Sequence, residues 1–475
     1  MKNIKSKNII YFLFYFLFCL SGMLTILFIK DIDTKINIMG VYVALHIAAS
    51  VFALYKINKC FICYAIFFIL FVYLFHTGQI ILHTFFRDYD YYYDLYELYG
   101  AERYYDSVMY SLMIISGIVM GMLLTNVYKS KTLRIDIIDS FFKKDMFAYD
   151  TKKFKRIGYF IIITTLPVHL KILLQQLALV QAGNYLDSFR VDVTGITATY
   201  TEFLLVGITL VMLAYRENKF KLTLTYVIAV LYFGFNMVTG GRGRSVIKII
   251  MFTIIYFKLG KISLGKLILF AVLGYMGIMC LAIIAYVRGN GLITPESISE
   301  GAGNIESPLL KMLEEFGGSL YTVILTKAQI PKYFPYKYGT TYLSALVSLF
   351  PTVNDFMREA YDWSLYYNEY AVTSMGGSVI AEIYANFGYW GVFPAMLMGY
   401  FINNISNKFD MFFTEQKYTK TVFFILFFTG AMWWIRDSVS TVIRTPLWGM
   451  MYLWILFKVY DRMFGKKRRK RIKEV

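Results

Sequence analysis

The sequence predicts an all-α polytopic membrane protein of about twelve transmembrane helices, with a large late extracytoplasmic loop capping the outer face. Three observations carry that prediction. Runs such as Ile9 to Ile29, Leu222 to Val238 and Lys266 to Val287 are longer and more apolar than ordinary core helices. The composition agrees, with 58% of residues hydrophobic, 17% charged and a mean hydropathy of +0.52, so the bilayer is the solvent for which this chain is built. The 49 Lys and Arg residues also concentrate in alternate connections, as orientation by positive charge on the inner side requires.

The apolar periodicity places spans at 9–29, 36–55, 61–82, 107–128, 157–180, 198–215, 222–239, 246–258, 266–287, 378–403, 421–435 and 445–460. The first has no small-residue cleavage site and reads as a retained span rather than a removed leader. The span 246–258 is short for a bilayer and requires tilt, a break or extension. Lys2, Lys5 and Lys7 put the N-terminus inside. The basic stretches Lys129 to Arg156, Arg216 to Lys221 and Lys258 to Lys266, with the tail 461–475, then fall on the cytoplasmic side, and both termini are cytoplasmic. The chain reads as a single transmembrane domain, 1–475. Outside lie a Tyr-rich acidic loop, Arg87 to Asp106, and the segment 288–377, which is too long for a simple connector and folds as a cap. Within it Ser307-Pro308 starts a helix whose apolar stripe runs from Leu309 to Lys327.

Charge and cysteine content exclude several function classes. The net charge of +18 would suggest nucleic acid in a soluble chain. Here the tail from Lys466 to Arg471 follows an apolar span, so it reads as a stop signal attracted to anionic membrane lipids, with no nucleic-acid partner. Cys19, Cys60, Cys63 and Cys280 lie in or beside spans and suggest neither a disulfide framework nor a metal site. No Walker-type loop is present.

Arginine placement carries the functional signal. Arg242, Arg244, Arg288, Arg436 and Arg444 all fall at outer ends of spans, where lysine is scarce. Guanidinium stays charged at physiological pH and presents a planar fork that matches phosphate oxygens. The same groups can snorkel to lipid headgroups or pair with Asp437 and Glu382. In Gly240-Gly241-Arg242-Gly243-Arg244-Ser245, bare backbone at Gly241 and Gly243 and a helix N-terminus beside two arginines form a candidate anion cradle; a tight turn needs the same glycines. Glu382 enters an apolar span, where a carboxylate is costly unless paired or used, and suits either a general base or a partner that orients an arginine. His76 and His83 share one helical face; one of them is a candidate to deprotonate a sugar hydroxyl, with His83 placed among the substrate-binding residues, and buried hydrogen-bonded histidine is the ordinary alternative.

In these segments the chain resembles the Wzy-type polymerases of bacterial O-antigen and capsule repeat units. The resemblance rests on the polytopic layout, Thr239 to Arg244 at a span junction, the late external loop, the stretch Gly377 to Gly391, which includes Tyr384, and the segment Arg436 to Arg444. It implies a GT-C type membrane glycosyltransferase. Such an enzyme joins oligosaccharides carried on undecaprenyl pyrophosphate at the outer face of the bacterial cytoplasmic membrane, without nucleotide sugar, metal or other cofactor. It further implies a chain-length regulator and a flippase of the same pathway as partners. Carried onto this chain, it points to Arg242, Arg244, Arg288, Arg436 and Arg444, with Glu382 beside them, and leaves the catalytic base unplaced. Taken with the reading of the residues, Arg242, Arg244 and Glu382 are the candidates for catalysis, and Arg288, Arg436, Arg444, Gly241, Gly243, Tyr384 and His83 those for substrate binding. A flippase for the lipid-linked unit and a polysaccharide ligase are the competing readings, with a membrane-bound acyltransferase a third, weakened by histidines that lack a catalytic setting. No two-fold internal repeat supports the first.

Overall fold

The computed structural model describes residues 6–91, 93–125, 150–182, 195–237, 242–260, 264–289, 295–304, 307–349 and 376–473. Among these residues the chain is helical with no strand. The helices are α1 Ser6–Leu27, α2 Ile32–Asn58, α3 Tyr64–Phe85, α4 Leu95–Tyr99, α5 Ala101–Leu124, α6 Thr151–Gln181, α7 Gly195–Ala214, α8 Lys219–Asn236, α9 Arg242–Leu259 and α10 Leu264–Gly289. There follow α11 Pro295–Asn304, α12 Pro308–Gly317, α13 Leu320–Gln329, α14 Thr340–Ser344, α15 Val379–Phe387, α16 Val392–Thr414, α17 Tyr418–Trp434 and α18 Ser440–Lys473.

Among the described residues six helices, α1, α2, α3, α5, α6 and α7, are long and apolar enough to cross a membrane. Polar residues mark where several of the chain's helices begin. Asp31 caps α2 through Thr34, Asp150 caps α6 through Lys152 and Asn218 caps α8 through Lys221, each supplying an oxygen to a backbone N–H that the helix leaves unpaired.

Two of the expected elements are broken. The span expected over 378–403 is two helices, α15 and α16, joined by a 3-10 turn at Gly388–Gly391, with Gly388 in the left-handed region at φ +54°. Its buried carbonyl accepts from the Tyr110 hydroxyl at 3.0 Å. The single helix expected over Leu309 to Lys327 divides at Gly317-Gly318 into α12 and α13. There α12 crosses α3 so closely that a Cβ on Gly317 would lie 2.5 Å from the Gln79 backbone nitrogen, and one on Gly78 would lie 2.5 Å from the Leu313 oxygen. The expected start at Ser307-Pro308 holds, with Ser307 at the N-cap. The short span expected at 246–258 begins four residues earlier, as α9, and the last helix runs on to Lys473 rather than ending near 460.

Packing follows the rules of helices that gain little from hiding apolar surface. The backbones of α5 and α16 touch: a Cβ on Gly121 would stand 1.8 Å from the Met396 oxygen, and one on Gly399 1.9 Å from the Ile118 oxygen. Polar side chains then join helices internally. His46 Nε2 lies 2.9 Å from the Ser116 hydroxyl, and Ser50 bonds both Tyr15 (2.9 Å) and Tyr73 (2.7 Å), tying α1, α2, α3 and α5 together.

The two ends of the bundle differ. At one, Asn58, Cys60, Arg216, Lys258, Asp410 and Tyr418 line an opening of about 660 Å³, and Lys258 pairs with Asp410 at 2.7 Å. The other carries α11 to α14 and the turn between α17 and α18. Glu314 of α12, its side chain 3% exposed, accepts from the Tyr89 hydroxyl and the Tyr93 backbone, clasping the Tyr-rich loop to these short helices.

Candidate functional site

The site is built around the turn 435–439, where α17 stops and α18 starts. Glu382, fully buried on α15, reaches into that turn: its Oε2 accepts from Trp434 Nε1 at 2.6 Å and from the Val439 backbone at 3.1 Å, while Oε1 accepts from Thr341 Oγ1 at 3.1 Å. Every contact is a donor, so all of these hydrogen bonds run into the carboxyl oxygens. Asn386, one turn later, donates to Thr341 Oγ1 at 2.8 Å and accepts from the Gly339 backbone at 2.8 Å. One carboxylate and one amide therefore hold the short helix α14, the broken span and the turn in register.

The arginines meet this turn from different sides. Arg436 lies in it, exposed, its guanidinium carbon 5.8 Å from the Phe75 ring centre. Phe75 stands ten residues, about 15 Å, short of the α3 end, so this guanidinium lies alongside the middle of α3. Arg244 stacks on the Trp433 ring at 5.0 Å, and Trp433 Nε1 donates to Asp437 Oδ2 at 2.6 Å. Gly243 packs against the same indole. Arg444, in the first turns of α18, buries Nε and Nη2 with no hydrogen-bond partner. One turn on, Trp448 donates to the Leu349 carbonyl at 2.8 Å. Arg242 opens α9 and Arg288 lies near the end of α10, on backbone alone, and Gly241 lies outside the described residues.

Two further candidates stand apart from the turn. Tyr384 faces away from Glu382, its ring in a cluster with Tyr110, Tyr336 and Tyr389. His83 packs on Tyr96 at 4.8 Å in an opening of about 300 Å³ lined also by Asp33, Asn37, Arg87 and Tyr91. His76 is buried: Nδ1 donates to the Val72 carbonyl at 2.9 Å, leaving Nε2 to accept from Ser378 at 2.8 Å, which anchors the start of α15.

Residues that sequence reasoning passed over complete the surroundings. Lys248 of α9, buried, and Glu202 of α7, partly buried, form an ion pair at 3.0 Å within the electrostatic reach of Arg244. Charge inside two apolar spans was the available signal. Lys327 of α13 pairs with Asp106 at 2.8 Å among the rings of Tyr110, Tyr384 and Tyr389, where burial lowers its pKa and Asp106 opposes the shift. Trp433 and Trp434, which seat Arg244 and Glu382, gave no pattern of their own.

A family model described as O-antigen polysaccharide polymerase Wzy matches residues 8–467, nearly the whole chain. The chain belongs to the Wzy O-antigen polymerase family. No curated protein and no solved structure matches it. A Wzy-family polymerase is a membrane protein that polymerises lipid-linked oligosaccharide repeat units into O-antigen polysaccharide, a glycosyltransferase-type activity, and this sets polymerisation above the flippase and ligase readings.

Proposed function

We propose that this Wzy-family polymerase takes its donor as a polyprenyl pyrophosphate and grips that pyrophosphate with Arg244, Arg436 and Arg444, with Arg242 and Arg288 completing the set. A hydroxyl of the incoming lipid-linked unit attacks the anomeric carbon of the growing chain. The new glycosidic C–O bond forms, the bond to pyrophosphate breaks, polyprenyl pyrophosphate departs, and the hydroxyl proton passes to a base. Guanidinium groups stabilise the charge that grows on the leaving oxygen, and neither nucleotide sugar nor metal enters. Glu382 holds the turn that aims Arg436, while Tyr384 and His83 contact the glycans.

The observation that carries this reading is Arg444, whose buried nitrogens lack a partner in the same segment that bears Arg436. Twelve spans in a GT-C type arrangement, both termini cytoplasmic and 288–377 as an outer cap complete the proposal, with a chain-length regulator and a flippase as pathway partners. Reconstituted protein given a polyprenyl-pyrophosphate oligosaccharide should produce a gel ladder spaced by whole repeat units. Arg244→Ala and Arg436→Ala should abolish the ladder while leaving protein in the membrane. Full-length polymer from both variants would remove these arginines from the mechanism.

A further inference from the structure

An apolar groove of about 260 Å³ runs along α16 and α17. Pro394, Leu397 and Phe401 line it from α16, Phe427 and Ala431 from α17, and no charged residue lines it. Its side is open: Leu397 is 58% exposed and Phe401 43% exposed at the surface of the protein. One end reaches the site. Trp434 and Tyr342 wall it there, their rings in edge contact at 6.2 Å, and that same Trp434 donates to Glu382. Val442 of α18 also lines the groove. Trp434 closes α17 two residues before Arg436, which lies in the turn that Glu382 braces. A hydrocarbon channel therefore ends at Trp434, directly before the turn that bears Arg436, the complement of a molecule that is anionic at its head and apolar beyond it.

We propose that this groove seats the isoprene units nearest the pyrophosphate of the polyprenyl carrier, an inference that rests on the pyrophosphate reading above. The arginines fix the head, and the groove fixes the direction in which the chain leaves for the bilayer. The small side chain of Ala431 keeps the groove clear, so a large residue there obstructs the tail and spares the head. The proline at 394 sits in the first turn of α16, where the missing N–H costs nothing, and narrows the wall without a polar group.

The full chain in phosphatidylcholine nanodiscs, titrated with farnesyl pyrophosphate and with inorganic pyrophosphate, tests this. The wild type should bind the prenylated probe more tightly, and Ala431→Trp and Leu397→Trp should each shrink the ratio of the two affinities about tenfold. Partition into the lipid is common to all three proteins and cancels from the comparison. A photoreactive farnesyl pyrophosphate should label wild-type peptides from 392–402 or 425–434, a readout that needs no variant. A ratio that neither substitution moves, or adducts confined to other helices, overturns the groove and leaves it to ordinary phospholipid acyl chains. If the wild type binds neither probe, the pyrophosphate reading fails and the groove assignment falls with it.

Discussion

The Oε2 atom of Glu382 lies 2.6 Å from the Trp434 indole nitrogen and 3.1 Å from the Val439 backbone nitrogen, so a single oxygen closes both ends of the turn that bears Arg436. A carboxylate placed in this way acts as a brace, and its loss leaves three buried donors without an acceptor.

Glu382→Ala should therefore unfold more easily than wild type, by about 1–3 kcal/mol for each donor left unmet, read as a lowered melting temperature in detergent. Glu382→Gln keeps a carbonyl acceptor and should fall between the two. An alanine variant that melts with wild-type protein and loses only turnover would make Glu382 a participant in the chemistry instead of a brace.

Arg444 is predicted to behave in the opposite sense. Because two of its buried nitrogens make no hydrogen bond, Arg444→Met should melt no lower than wild type while polymer formation drops about a hundredfold. A marked fall in melting temperature would mean that the guanidinium supports the fold.

The crossing of α5 and α16 leaves no room for side chains. Gly121→Val and Gly399→Val should each destabilise the protein by about 1–3 kcal/mol or more, because the obstacle in both cases is backbone oxygen. Wild-type yield and melting behaviour from both variants would show that the two helices stand further apart.

Orientation can be read by labelling. In a cysteine-free background, Tyr338→Cys should react with an impermeant maleimide in intact cells, and Gln416→Cys should react only after lysis. The native side chains at both positions are exposed, at opposite ends of the bundle. The reverse pattern would invert the proposed topology and place the arginine turn inside the cell.

Much of the helical layout was legible in the sequence because apolar runs of bilayer length leave few alternatives. What escaped was the breaks. Gly388 and Gly317 interrupt apolar stretches whose hydropathy continues unchanged, and the reasons lie in partners remote in sequence: Tyr110 for the first, Gly78 for the second. The site divides along the same line. Arg244, Arg436 and Glu382 stood out because charge near an apolar span is costly wherever it occurs. The tryptophans that bring them to one turn did not, since an indole in an aromatic-rich chain carries no mark of its neighbours.

The two unmatched nitrogens of Arg444 bear on how tightly this site can hold an anion. Most cations that meet a phosphate must first shed water, and that cost subtracts from affinity. Here the fold already encloses both nitrogens, so an arriving oxygen displaces little solvent from them and keeps most of the strength of each charge-assisted bond. By linkage the ligand returns that strength to the protein, which should be at its most robust while the carrier is bound and at its most fragile just after release.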